Sequence, residues 1–186
     1  MKPQNVDWIH TFTGKKFRPL TPDPELIDVR DVAHALATQS RFGGHTSKFY
    51  SVAEHSVRVS LICPGRDALW GLLHDASEAY LKDMASPIKY APGVEFYLAA
   101  ERALMAAVAV KFSLPANEPE SVRRADAVML HTEARDLFPP GSHVEWLDER
   151  MAQPNRISPL NWQAAEAWFL ERFRFLERRR AKEAAA

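Results

Sequence analysis

The chain has 186 residues, 46% of them hydrophobic, which allows one substantial core and lies within the ~100–200 residues usual for a single domain. Lysine plus arginine number 24 and aspartate plus glutamate number 24, so the net charge of +0 excludes the strong basic field of a nucleic-acid-binding surface and favours a small charged substrate met by a local patch. One cysteine, Cys63, excludes an intrachain disulfide, and no stretch approaches the ~20 apolar residues of a membrane span. With no apolar signal core at the start, these features lead us to expect a cytoplasmic protein that binds neither membrane nor nucleic acid.

In chain order, Trp8, Phe12 and Phe17 surround Thr13-Gly14-Lys15-Lys16, and Pro19, Pro22 and Pro24 follow. This pattern predicts a small hairpin and an extended lead-in, a lid or brace on the core. Asp28 is placed to cap a helix over 29–39, with Val29, Val32, Ala33 and Leu36 inward and Gly43-Gly44 as its stop. Val52, Val59 and Ile62 recur at helical spacing over 51–62, with His55 on the side of Val52 and Val59; Cys63-Pro64-Gly65 ends that helix.

A helix over 66–82 follows, with His74-Asp75 at its middle and Leu69, Leu72, Leu73, Ala76 and Tyr80 for packing. After a loop containing Pro87 and Pro92, Val94, Tyr97, Ala100, Leu104 and Val108 mark a helix to 112. Pro119 at a first-turn position opens another to 138, and Ser158-Pro159 starts the last, whose inner face is Trp162, Ala165, Phe169, Phe173 and Leu176. The expected fold is all-α, one domain made of an N-terminal extension (1–27), a core (28–140) and a C-terminal helix (158–186).

Imidazole nitrogens and carboxylate oxygens are the ligands of catalytic divalent transition metals. His55 and His74 lie on successive helices that a Pro-Gly connection leaves antiparallel and in contact, and Asp75 is next to His74. Val122, Asp126, Met129 and Glu133 share one stripe, so at least one of the two acids needs a buried partner. Glu78, four residues beyond His74, lies on the same face and can act on a metal-bound water. Taken singly, each histidine is more often a packing residue than a ligand; His34 and His131 are read that way. His45 and Lys48 fit either a pocket wall or a solvated loop, and Arg178-Arg179-Arg180 a solvated tail favoured by the helix dipole.

Four stretches, Ser51-Val52-Ala53-Glu54-His55-Ser56, Leu73-His74-Asp75-Ala76-Ser77-Glu78-Ala79, Asp83 through Pro87 to Lys89-Tyr90, and Arg124-Ala125-Asp126-Ala127, occur in an order that resembles the HD-domain metal-dependent phosphohydrolases, most closely their bacterial 5'-deoxynucleotidase-like branch. The resemblance implies an HD-type helical bundle with His55, His74, Asp75 and Asp126 as metal ligands and Glu78 and Asp83 as catalytic acids. It also implies substrate contacts on Arg41, Phe42 and Lys89. The implied activity is hydrolysis of deoxyribonucleoside 5'-monophosphates to nucleoside and orthophosphate, with Co, Mn, Zn, Fe or Ni as the ion. Neither the ion nor a homodimer is decided by the sequence. The alternatives are a deoxynucleoside triphosphate triphosphohydrolase, using Lys48, Lys82 and Lys89 for the outer phosphates, and a non-catalytic nucleotide- or metal-binding protein. Phe42 stands where that branch usually carries tryptophan, so a real but incomplete preference for deoxyribose is expected.

Overall fold

In the computed structural model, which describes residues 6–185, Gly14 takes a φ of 81° and turns the chain between strands β1 (Ile9–His10) and β2 (Lys16–Phe17), paired antiparallel. The hairpin is a brace. Asp31 accepts from the Thr13 amide at 2.6 Å and its hydroxyl at 2.9 Å, and Lys15 donates to Asp28 at 3.2 Å. Phe17 is fully buried and stacks on Tyr80 at 4.1 Å.

Helix α1 (Val29–Ala37) begins where Asp28 accepts from the Arg30 amide, as its sequence predicts. It ends sooner than expected. Thr38 closes it by donating from its hydroxyl to the His34 carbonyl at 3.0 Å, and Gly43-Gly44 instead belong to a short 3-10 turn over 41–44 in which Phe42 and Gly43 have φ of 53° and 59°. Helix α2 (Val52–Ile62), capped by Ser51, is buried nearly all round and packs on α1, on α3 (Ala68–Leu73), on α7 (Glu120–Leu137) and on α8 (Trp162–Ala184).

The expected continuous helix over 66–82 is two short helices, α3 and α4 (Glu78–Leu81), separated by tight turns at 74–77. Backbone bonds there run three residues back, Ala76 to Leu73 at 2.9 Å and Glu78 to Asp75 at 3.0 Å. The Gly71 carbonyl is taken by Nδ1 of His74 at 2.9 Å, which diverts the acceptor that a regular helix would offer to residue 75. A short helix α5 (Ser86–Lys89) lies in the expected loop, and α6 (Glu95–Lys111) buries Tyr97, Ala100, Leu104 and Val108, the predicted stripe.

Two further starts differ. Pro119 is the extended cap of α7 rather than a first-turn residue. Helix α8 begins at Trp162 behind Asn161, not at Ser158-Pro159, because buried carboxylates claim the preceding amides: Asp136 accepts from Ile157 and Glu54 from Leu160, both at 2.8 Å. Arg180 is not part of a solvated tail; it donates to the Phe112 and Ser113 carbonyls at 2.9 and 2.8 Å and closes the end of α6. The fold is all-α with a small N-terminal hairpin, and no helix among the described residues is long and apolar enough to cross a membrane.

Candidate metal centre

Gly71 sets the approach of α2, which carries His55, and α3, which ends just before His74. A Cβ at that position would lie 2.7 Å from Sγ of Cys63 and 3.3 Å from Cα of Ser60, so only glycine lets α3 rest this closely on α2. The result is a separation of 3.3 Å between Nε2 of His55 and Nε2 of His74. Oδ2 of Asp75 is 3.3 Å from His74 Nε2 and 3.7 Å from His55 Nε2. Asp126, half-exposed on α7, brings Oδ1 to 3.1 Å from His55 Nε2 and 3.9 Å from His74 Nε2.

The three shorter spacings, 3.1 to 3.3 Å, suit ligands that share a cation, and those of 3.7 and 3.9 Å are wider. Ligands ~2.1 Å from an ion stand ~3.0 Å apart at neighbouring octahedral positions and ~3.4 Å apart in a tetrahedron. The protons agree with the distances. Nδ1 of His55 faces the Glu133 carboxylate at 2.6 Å and Nδ1 of His74 faces the Gly71 carbonyl, so each imidazole donates from Nδ1 and turns inward an Nε2 that can take either a proton or a metal ion. With neither bound, two lone pairs would meet at 3.3 Å beside Asp75 Oδ2, a buried oxygen with no hydrogen-bond partner. Bare acceptors crowded in this way repel one another unless a positive charge lies between them. His55, His74 and Asp75 thus form a group that can hold a metal ion, and Asp126 borders it.

The surrounding charges are consistent with this. Burial and the Arg41 guanidinium oppose a charged His55, but Glu133 and Asp126 outweigh them and raise its pKa to about 9, so a proton is favoured where a metal can bind. Burial works against the Asp126 carboxylate too, yet the His55 imidazole beside it holds it well below the usual range. Burial, then Asp75 and Asp83, push Glu78 well above the usual carboxylate range.

Of the other residues expected at the site, Glu78 is buried at the start of α4, where its Oε2 accepts from Nε2 of Gln39 at 2.8 Å. Asp83 is exposed, just past α4, and close enough for its charge to act on Glu78. Arg41 is mostly buried. Its Nε and Nη2 donate to Oε2 of Glu133 at 3.3 and 3.0 Å, and Nη1 points to Asp75 at 3.6 Å, so the guanidinium borders the ligand cluster and is committed to carboxylates. Phe42 lies under that guanidinium at 5.5 Å and meets Phe138 edge-on at 5.1 Å. Lys89 donates to Glu101 at 2.7 Å and lies close enough to Glu78 to feel its charge.

His45 and Lys48 lie in an exposed loop. His34, paired with Glu166 at 3.2 Å and stacked on Phe12, and His131, which accepts from the Asp148 amide at 3.1 Å, are packing residues, as expected. The sequence reading missed Gln39 and Tyr50; the Tyr50 hydroxyl donates to Glu133 at 2.9 Å. A polar residue after a helix end and an aromatic before a cap carry no distinguishing signal. Two surface concavities, of about 580 Å³ beside Asp67 and Ser121 and about 380 Å³ beneath the hairpin, include none of the four expected ligands, so chemistry rather than concavity locates this centre.

No protein-family model matches the sequence. The chain is 36% identical over 170 residues to the uncharacterized protein YfdR of Escherichia coli K12, spanning 90% of this chain and 94% of that protein. It is 38% identical over 143 residues to an uncharacterized protein of Rhodobacter capsulatus, spanning 70% of this chain and 72% of the relative.

Proposed function

We propose, for a chain that belongs to the family of the Escherichia coli protein YfdR, that it is an HD-domain metal-dependent phosphohydrolase converting deoxyribonucleoside 5'-monophosphates to nucleoside and orthophosphate. The observation that carries this reading is the unpartnered Oδ2 of Asp75 set against the facing Nε2 atoms of His55 and His74. Asp126 completes the proposed ligand set. A divalent ion of the Co, Mn, Zn, Fe or Ni type would lower the pKa of a bound water from ~15.7 towards ~7 and so supply a nucleophile at neutral pH.

The protein's own groups do the rest. Nη1 of Arg41, beside Asp75, is placed to offset charge on the phosphoryl oxygens, while the other two nitrogens of its fork are held by Glu133. Glu78, shielded from solvent and oriented by Gln39, handles the proton exchanged between water and the departing 5'-oxygen, and Asp83 faces the approach from solvent. Phe42 forms an apolar wall next to Arg41 for the sugar.

The test combines metal content with product release. The purified chain should carry about one transition-metal ion and release orthophosphate from deoxynucleoside monophosphates; the double variant His74→Ala/Asp75→Ala should lose both ion and activity. Release of triphosphate from deoxynucleoside triphosphates would move the activity to a triphosphohydrolase. Full metal occupancy without hydrolysis of mono-, di- or triphosphates would make the protein a non-catalytic binder.

A further inference from the structure

Glu133 is fully buried and both of its oxygens are in use. Oε1 accepts from Nδ1 of His55 at 2.6 Å and from the Tyr50 hydroxyl at 2.9 Å, and Oε2 accepts from Nε and Nη2 of Arg41 at 3.3 and 3.0 Å. Asp126 lies seven residues earlier on α7, close to two turns away and on the same stripe. One helix therefore sends a carboxylate to each nitrogen of a single imidazole: Asp126 Oδ1 is 3.1 Å from Nε2 of His55, and Glu133 Oε1 is 2.6 Å from Nδ1.

We propose that Glu133 is the positioning residue of the metal centre, fixing His55 in the Nδ1–H form with its Nε2 lone pair turned to the cation, and holding Arg41 beside Asp75 through its second oxygen. The inference rests on reading the cluster as a metal site. A buried imidazole with no acceptor at Nδ1 is free to place its proton on Nε2, where it would bond to Asp126 and cease to be a ligand. A carboxylate at Nδ1 removes that choice and raises the basicity of Nε2. The same side chain sets where the Arg41 fork lies, because Nε and Nη2 share one oxygen and Nη1 is left 3.6 Å from Asp75. Losing Glu133 thus disturbs the ion and the anion-facing cation together, a combination that packing alone does not produce.

The experiment uses the full chain with Zn²⁺ as the probe. Glu133→Gln keeps the size of the side chain but removes its charge, and its single oxygen cannot serve both sides: with that oxygen on the Arg41 fork the NH₂ meets Nδ1 of His55 and drives the ring proton to Nε2, and the opposite orientation sets the NH₂ against Arg41. Competition with a chelator should show zinc affinity ~10–100-fold lower in this variant than in the native chain, the usual effect of losing a carboxylate behind a metal-bound histidine. Equal affinity in the two proteins would overturn the inference and leave the metal site standing. A native chain that binds no zinc would overturn both. Should Glu133→Gln fail to fold, ¹⁵N-histidine NMR of the zinc-loaded native chain decides. A proton on Nδ1 of His55 with the metal on Nε2 is expected, and the reverse arrangement would refute the proposal.

Discussion

Nε2 of Gln39, just beyond the end of α1, donates to Oε2 of Glu78 at the start of α4 across 2.8 Å, while the other side-chain atom of that amide, Oε1, is buried without a partner. The bond holds the acid at a fixed orientation beside the ligand cluster. On the proposed hydrolase reading, Gln39→Leu should therefore keep the metal and lose turnover by ~10–100-fold, the equivalent of the ~1–3 kcal/mol lost when a buried polar group is left without its partner. Glu78→Gln should cost more, ~10²–10⁴-fold, if Glu78 has the proton-transfer role proposed for it. Metal content and kcat measured on both variants check the order; a Gln39→Leu variant as fast as the native chain would show that Glu78 does not depend on this contact.

Close packing at Gly71 predicts a different failure. A methyl group there meets Sγ of Cys63 at 2.7 Å and backbone at 3.3 Å, and overpacking of this kind typically costs ~1–3 kcal/mol. Gly71→Ala should lower the denaturation midpoint and weaken metal binding, since the same helix contact sets the spacing of His55 and His74. Adding Cys63→Ala makes room for the methyl and should restore part of both, a coupling that a double-mutant cycle measures. Independent, additive effects of the two substitutions would mean that this contact does not limit the approach of α3 to α2.

Much of this architecture was legible because amphipathic spacing and caps are local. Asp28 caps the helix it was expected to cap, the helical span expected over 51–62 is α2 behind Ser51, and the stripe through Tyr97, Leu104 and Val108 is the buried face of α6. The break at 74–77 was not legible: the run from Leu69 to Tyr80 holds helical periodicity without proline, and its interruption depends on His74 bonding to the Gly71 carbonyl against α2. The stripe of α7 did imply that Asp126 or Glu133 needs a buried partner. Which acid, and which partner, depends on Tyr50, His55 and Arg41 arriving from other segments, and sequence spacing does not encode that. Arg41 was expected to face a phosphate; its commitment to Glu133 became visible only in three dimensions.

Asp136 makes stability depend on pH in a known direction. Burial alone would raise its pKa, but Arg135 at 2.7 Å, the Ile157 amide at 2.8 Å and Arg156 at 2.6 Å outweigh it and leave the carboxyl below its ordinary value. A lowered folded-state pKa means that the unfolded chain binds the proton first on acidification. The contribution is therefore complete above the unfolded value, ~3.9, and is lost as pH falls through the folded one. Asp136→Asn should lower stability at neutral pH and flatten the loss of stability below pH ~5. Denaturant titrations at several pH values would show this; parallel acid limbs in the two proteins would contradict it.

Discrimination between deoxyribose and ribose should depend on Phe42. Its backbone is held at a φ of 53°, its ring meets Phe138 edge-on, and the Arg41 guanidinium lies over it, so the wall has a fixed place beside the ligand cluster. On the proposed reading, an aromatic wall against the sugar would reject ribose by crowding the 2'-hydroxyl, and phenylalanine is smaller than the tryptophan usual in the family that the sequence resembles and lacks an indole N–H to anchor it. A preference for dAMP over AMP should be present but incomplete. Phe42→Trp should sharpen it and Phe42→Ala weaken it, each by ~1–3 kcal/mol, the range for small steric differences in a pocket. The ratio of kcat/KM for dAMP and AMP in the three proteins is the measurement. A ratio that stays the same throughout would mean that the ring of Phe42 never touches the sugar.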